Sequence, residues 1–556
     1  MATRLATLLV VAIVGATLIA GLIVGAQRDD NSGPVDLIIH NAKVYVADDL
    51  GTTADAVAIR GNKILRVGGE REVMRSRTPQ TTIVDAHGAA VLPGFDDAHV
   101  SLIAGGLARD GVQLHGAQTL DEIQSRIAEW ATARPYAMWL TGGGWSYDAF
   151  DDAPTRGQLD SAVADRPARL LSADGQALWV NTKALQAARI TKKTPNPTGG
   201  VIVRDRRGEA TGLLKGAAMA LVDRVMPRPT REERAKALQL AIADAGAHGI
   251  TSVQDFGAAS GDLDLYDAAR EAGTLSIRVY AAVQASRTAL EDLDAIARRY
   301  PDDPLLKTGL AALALDGSVE SQSAAMLAPY MPKGAGDGTT ELAAPELAKL
   351  VAALDARGWQ IAIDASGDRA VRAALDAYGA VAKNASGAHP ARHRIEDLSV
   401  IDPEDIPRFG ALGVVASLQP LHATLGGLTN WAQNLGPERA PFGWPARSLS
   451  AAGAHLAFGS DWPVLPLDPL EAIRAAVRRP NIHASEALTL KSAINAWTSG
   501  AAWASFDDHR KGTLKPGMLA DLVILSTDLF AGSDQLSAAD VEITVFDGRV
   551  VYRRPS

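Results

Sequence analysis

The chain reads as an α/β protein: a (β/α)8 TIM barrel with an insertion over its mouth, joined to a small β-sandwich formed by the N- and C-terminal segments. Three observations predict this. Strand-like and helix-like runs alternate between residues 93 and 511, which implies parallel strands linked by helices. Polar residues recur where the strand-like runs end, at Asp97, His99, Gln254, Asp316, Asp364, Asp397, Gln419 and Asp461. Barrel enzymes build their sites at those carboxyl ends. Both ends of the chain consist of short β-like runs that need partners.

The first element, residues 1–30, is a targeting or anchoring segment. Arg4 precedes the uncharged run Leu5 to Ala26, followed by Gln27-Arg28-Asp29-Asp30. That run has about the length needed to span a bilayer, roughly 20 residues, and the leading Arg orients the N-terminus inward. The expectation is an uncleaved anchor in the cell membrane, with the body in the periplasm or otherwise outside the cytoplasm. A cleaved signal ending at Val24-Gly25-Ala26 is the alternative.

Residues 35–92 and 512–556 form the sandwich. Val35 to Val46, Ala56 to Val67 and Thr81 to Leu92 read as strands, as do Leu514 to Leu525 and Val541 to Tyr552. Residues 93–511 form the barrel. It opens on Val91 to Leu102, where an apolar run breaks at Pro93-Gly94 and Asp97, His99 and Ser101 then alternate on one face. Thr230-Arg231-Glu232-Glu233 is a capping box before the helix that leads to the next strand, Ile250 to Val253. Trp359 to Ile363 ends at Asp364, Arg394-Ile395-Glu396 at Asp397, Val414 to Leu418 at Gln419, and His455 to Phe458 at Gly459-Ser460-Asp461. The insertion, about 138–219, carries Trp139, Gly142-Gly143-Gly144-Trp145 and a polar loop at 195–207.

Composition narrows the function. A formal charge of −9 with no basic run argues against a nucleic-acid partner, leaving a small-molecule substrate and, through the N-terminal segment, the membrane. The absence of cysteine excludes disulfides, thiolate catalysis and cysteine-bound zinc.

Several segments together resemble the amidohydrolase superfamily, and within it amidohydrolase family 3. They are Pro93-Gly94-Phe95 with Asp97 and His99, Gly144-Trp145, Asp174-Gly175 with Trp179-Val180-Asn181, Asp316-Gly317-Ser318, Gly367-Asp368-Arg369-Ala370, His393-Arg394-Ile395-Glu396, Gln419-Pro420 with His422, Gly459-Ser460-Asp461-Trp462-Pro463 and Lys515-Pro516-Gly517 with Ala520-Asp521. The resemblance implies a barrel in which bound metal activates water against a C–N bond while the strand-eight Asp461 shuttles the proton. This sequence departs from the pattern at the imidazole positions. Ser101, Gln176, Gln254, Asp364 and Asp397 stand where histidines are usual, and Ala312 where a lysine is usual.

His99 alone cannot assemble a nitrogen-rich zinc site, so no zinc and no obligatory cofactor are expected, while a harder ion (magnesium, manganese or calcium) would suit the carboxylates Asp364, Asp397 and Asp461 together with His99. Three readings stay open. The first is a hydrolase of a small-molecule C–N bond, or a carboxylate acid/base enzyme of another class such as a glycoside hydrolase, lyase or isomerase, with Asp461, Asp364 and Asp397 catalytic. The second is a hard-metal enzyme, and the third an inactive binding member. His99, Asp97, Trp145, Gln176, Gln254, Asp316, Gln419 and His422 are the expected substrate-binding residues.

Overall fold

The computed structural model describes residues 35–48, 50–258, 260–286, 288–331, 336–382, 391–425, 428–479, 484–532 and 534–555. The expected anchor at Leu5–Ala26 lies outside the described residues. Among those described, no helix is long and apolar enough to cross a membrane.

Eight parallel strands form the barrel: β1 (Phe95–Val100), β2 (Ile250–Asp255), β3 (Arg278–Gln284), β4 (Leu306–Ala314), β5 (Gln360–Ala365), β6 (Arg394–Asp397), β7 (Val415–Leu418) and β8 (His455–Phe458). They neighbour one another in chain order. The ends of β8 and β1 meet through a parallel bridge between Trp462 and Val100, and Asp461 N donates to His99 O at 2.8 Å. A glycine permits this closure: a Cβ on Gly459 would fall 2.5 Å from His99 N. The strands are buried on both faces, which is why segments such as Ile361-Ala362-Ile363 are continuously apolar rather than alternating. Before β2, Thr230 Oγ1 accepts from Glu233 N at 3.2 Å and Glu233 Oε2 accepts from Thr230 N at 2.8 Å, closing both halves of the capping box.

The two ends of the chain share a six-stranded sheet. Leu522–Leu525 lies antiparallel to Ala90–Pro93, with Val523 opposite Leu92. A four-stranded sheet holds Leu37–His40, Ala56–Arg60, Lys63–Gly68 and Thr82–Asp85. Leu37, Ile39, Val57, Val91, Leu522, Ile524 and Val545 fill one core between these sheets. At roughly 1.5–3 kcal/mol per buried aliphatic side chain, neither end can afford to lose the other.

The insertion is larger than its expected bounds. Its six-stranded sheet starts at Val112–Gln113, not near 138, and runs through Leu140–Trp145, Ala168–Ser172, Ala177–Val180 and Ala210–Gly216 to the edge strand Gly200–Arg204. The early strand is only two residues long, too short to leave a periodic signal.

Candidate active site

At the carboxyl ends of the strands lies a cavity of about 120 Å³. Its wall includes His99 from β1, Asp364 from β5, Asp397 from β6, His422 after β7 and Asp461 after β8. The insertion adds Asp174, Gly175 and Gln176, and the segment after β4 adds Ser318 and Glu320. The wall is almost entirely polar and carries no lysine or arginine.

His99 is held by contacts on three sides. Its ring stacks on Phe256 with centroids 4.2 Å apart. Nδ1 lies 3.0 Å from Glu396 Oε2, and Nε2 lies 3.8 Å from Asp461 Oδ1. Beneath it is a sealed polar network. Arg394, fully buried, donates to both Glu396 oxygens, to Ala98 O at 2.7 Å, to Ser417 Oγ at 3.0 Å and to Gln254 Oε1. Burial works to raise Glu396, but the Arg394 charge and the His99 hydrogen bond outweigh it and hold the carboxyl down to about 2. Burial likewise works against charge on His99, yet Glu396, Asp461 and Asp397 bring it up to about 9.

On the far side, His422 Nε2 lies 3.0 Å from Asp461 Oδ2. Burial is again outweighed, here by Asp461, and His422 rises to about 9. Asp461 thus sits between two imidazolium rings. Asp364 and Asp397 form a pair: burial first, and then the charge of Asp397, push Asp364 well above the carboxylate range. Burial and the charge of Asp461 also raise Asp397. The hydrogen bond between them favours the proton on Asp364, because like carboxylates in contact cannot both ionise cheaply. Glu320 is raised to about 8 by burial and by the neighbouring Asp174.

Backbone strain marks two of these acids. Asp397 has φ +68° and Asp461 has φ +58°, in the left-handed region that costs a non-glycine residue of order 1 kcal/mol or more. At Asp397 the turn breaks the strand's alternation, so that its carboxylate joins the cavity even though the preceding residue, Glu396, already faces His99.

Asp364, Asp397, Asp461, His99, Gln176 and His422 line the cavity together. Five other expected residues do not. Asp97 Oδ1 accepts from His99 N at 3.1 Å and Ser460 N at 2.9 Å, fastening β1 to the end of β8. Asp316 accepts from Ala325, Ser366 and Gly367 amides at 2.7, 2.9 and 3.0 Å, fixing the loop after β5. Gln254 is sealed between Arg394 and Ala501 O. Gln419 is buried off the cavity wall, its amide without a protein partner among the described residues. Trp145 is buried in the core of the insertion, where Nε1 donates to Leu170 O at 3.0 Å and the ring meets Phe150 and Trp179 edge-on. Asp97, Asp316 and Gln254 are thus engaged by backbone or buried partners, and Trp145 by the core of the insertion.

Arg394, Glu396, Glu320 and Asp174 escaped the sequence reading as site residues. Arg394 and Glu396 had a signal, since their i, i+2 spacing on a strand puts both on one face. Glu320, in a loop, had none.

Asp397, His422 and Asp461 each bring a ligand atom within 4.8 Å of the others; the hard-metal reading of the sequence included the two carboxylates, with Asp364 and His99, but not His422. Two carboxylates and one imidazole, the latter once deprotonated, on a wall without lysine or arginine fit a divalent cation that prefers oxygen.

Comparison with known proteins agrees with this architecture. The family model described as "Amidohydrolase family" matches residues 82–552. The chain is 35% identical over 538 residues to Protein LONG AFTER FAR-RED 3 of Arabidopsis thaliana, covering 93% of this chain and 91% of that protein. It is 28% identical over 539 residues to N-substituted formamide deformylase of Arthrobacter pascens, covering 93% and 98%. A solved structure, an uncharacterized metal-dependent hydrolase from Pyrococcus horikoshii OT3, superposes with TM-score 0.70 at 24% identity over 90% of this chain and 99% of that one.

Proposed function

The chain belongs to the amidohydrolase family, and from that premise we propose that it hydrolyses an amide-type C–N bond of a small molecule. Similarity to a formamide deformylase supports N-substituted formamides as the first substrate class to test. The observation that carries the reading is the placement of Asp461, on the cavity wall with His422 at 3.0 Å and His99 at 3.8 Å.

In this reading Asp461 takes the proton from the attacking water. His99 and His422 flank it with positive charge and orient its two oxygens. The Asp364–Asp397 pair holds one proton and can give it to the departing nitrogen, so acid and base are set apart by environment. Arg394 and Glu396 act through His99, fixing its ring so that Nε2 faces the cavity. With the His422 proton released, Asp397, His422 and Asp461 would hold a divalent cation, which when bound would supply Lewis acidity toward the carbonyl oxygen. Asp461→Asn tests the assignment. It should lower kcat by at least about a thousandfold with little change in Tm, as expected for a lost proton acceptor. Full turnover in this variant removes Asp461 from the mechanism.

We also propose that Leu5 to Ala26 tethers the body outside the cytoplasm, which the uncharged run behind Arg4 supports. Full-length protein found free in the cytoplasmic fraction would overturn this.

A further inference from the structure

Three polar groups on the cavity wall have no part in the proposed reaction: Asp174 and Gln176 from the insertion, and Glu320 from the segment after β4. The cavity, about 120 Å³, has room for about four waters at ~30 Å³ each. A space this small keeps any ligand within it close to every group on the wall.

Glu320 is only 7% exposed, yet no other described residue donates to its carboxylate or forms an ion pair with it. Its oxygens are not sealed in the protein, and the charges that act on them, Asp174, His422 and Asp397, all belong to the cavity wall. A buried carboxylate left this way is costly unless something else meets it. Asp174 is anchored but not neutralised. Its Oδ1 accepts from Gln176 N at 3.2 Å and from Ser172 Oγ, and its Oδ2 from Ser318 Oγ at 2.5 Å, all neutral donors. The Gln176 side chain reaches the wall beside Gly317: Oε1 lies 3.4 Å from where a Cβ on that glycine would stand. It too has no hydrogen-bond partner among the described residues. Lys215 feels the charge of Asp174, but its Nζ donates to Ser321 O at 3.3 Å and it is not on this wall. Neither Asp174 nor Glu320 belongs to a group of three possible metal ligands among the described residues. The three groups therefore suit a cation that brings its own hydrogen-bond donors better than a bare metal ion.

We propose that Glu320, Asp174 and Gln176 form a subsite for a primary ammonium group on the substrate. An ammonium offers three N–H donors to these three acceptors, and its charge meets two carboxylates that no lysine or arginine on the wall offsets. A guanidinium, planar and larger, fits so small a space less well. This rests on the hydrolase reading above and names its substrate class: a short amide whose departing amine carries a second, charged amino group. A carboxylate in the same place would meet like charge and be rejected.

The test uses the full chain and three short formamides: N-(2-aminoethyl)formamide, N-propylformamide and N-formylglycine, whose arms end in ammonium, methyl and carboxylate. Turnover is followed by kcat/KM, and binding by thermal shift in the presence of chelator. The ammonium arm should be preferred over the methyl arm at least about tenfold, with the carboxylate arm last. Glu320→Gln, which removes charge at nearly constant shape, should cut the ammonium-to-methyl ratio about tenfold, the usual scale of one hydrogen bond to a charged group. Gln176→Leu, which removes an acceptor and no charge, should lower the same ratio by a smaller factor. Equal kcat/KM for ammonium and methyl arms, a preference for the carboxylate, or an ammonium preference that survives both substitutions overturns the subsite. If nothing turns over but ammonium-selective stabilisation is present and is lost in Glu320→Gln, the hydrolase reading fails and the subsite stands. The absence of both turnover and selective stabilisation overturns the subsite.

Discussion

Replacing Glu396 by Gln tests whether the buried pair beneath His99 supports the fold as well as the site. Glu396 is fully buried, accepts from Arg394 Nη2 at 3.2 Å, and lies 3.0 Å from His99 Nδ1. Its carboxyl falls from 4.5 to about 2 on folding. At about 1.4 kcal/mol per pH unit, this corresponds to about 3 kcal/mol of stability. Removing one partner of a buried ion pair gives an independent figure of about 3–5 kcal/mol, because the guanidinium is left without a counter-charge. The rise of His99 reports the same contact from the other side and is not added. A carboxyl lowered on folding stabilises fully above its unfolded pKa, and that stabilisation is lost as pH falls through the folded value. Urea unfolding of chelator-treated protein should therefore show Glu396→Gln about 3 kcal/mol less stable than wild type at pH 7. The gap should narrow as pH falls below about 4.5 toward 2. Equal stability at pH 7, or a gap that does not narrow on acidification, would refute the pairing.

The remaining predictions concern the cation and the composite sandwich. His422, raised to about 9, must lose its proton to ligate a metal, so calorimetric affinity for manganese or magnesium should rise from pH 6 to pH 9 with proton release. A pH-independent affinity, or one unchanged in His422→Ala, would exclude His422 as a ligand. Truncation before Leu514 should unfold the N-terminal strands too, since Ala90–Pro93 loses its partner Leu522–Leu525; a monodisperse truncation with an unchanged melting transition would count against this.

The barrel was legible in the sequence because its signals are local. Alternating runs, the Thr230 capping box and apolar strands report the hydrogen bonding and burial of each segment on its own. The same logic placed Asp364, Asp397, Asp461 and His99 at strand ends around one mouth, and all four line the cavity. Position at a strand end, however, does not say what a polar side chain meets. Gln254, Asp316 and Asp97 occupy equivalent ends yet are taken by buried partners. Glu396 reaches a histidine 297 positions away, and Arg394 reaches Gln254 across 140. Such pairings follow from closing the barrel, not from neighbours along the chain. The tertiary structure alone decided that Asp461 lies between two imidazoles, that Asp364 and Asp397 are buried side by side, and that Glu320 joins the cavity wall. Each depends on desolvation and on charges brought together from distant segments, and no local pattern encodes either.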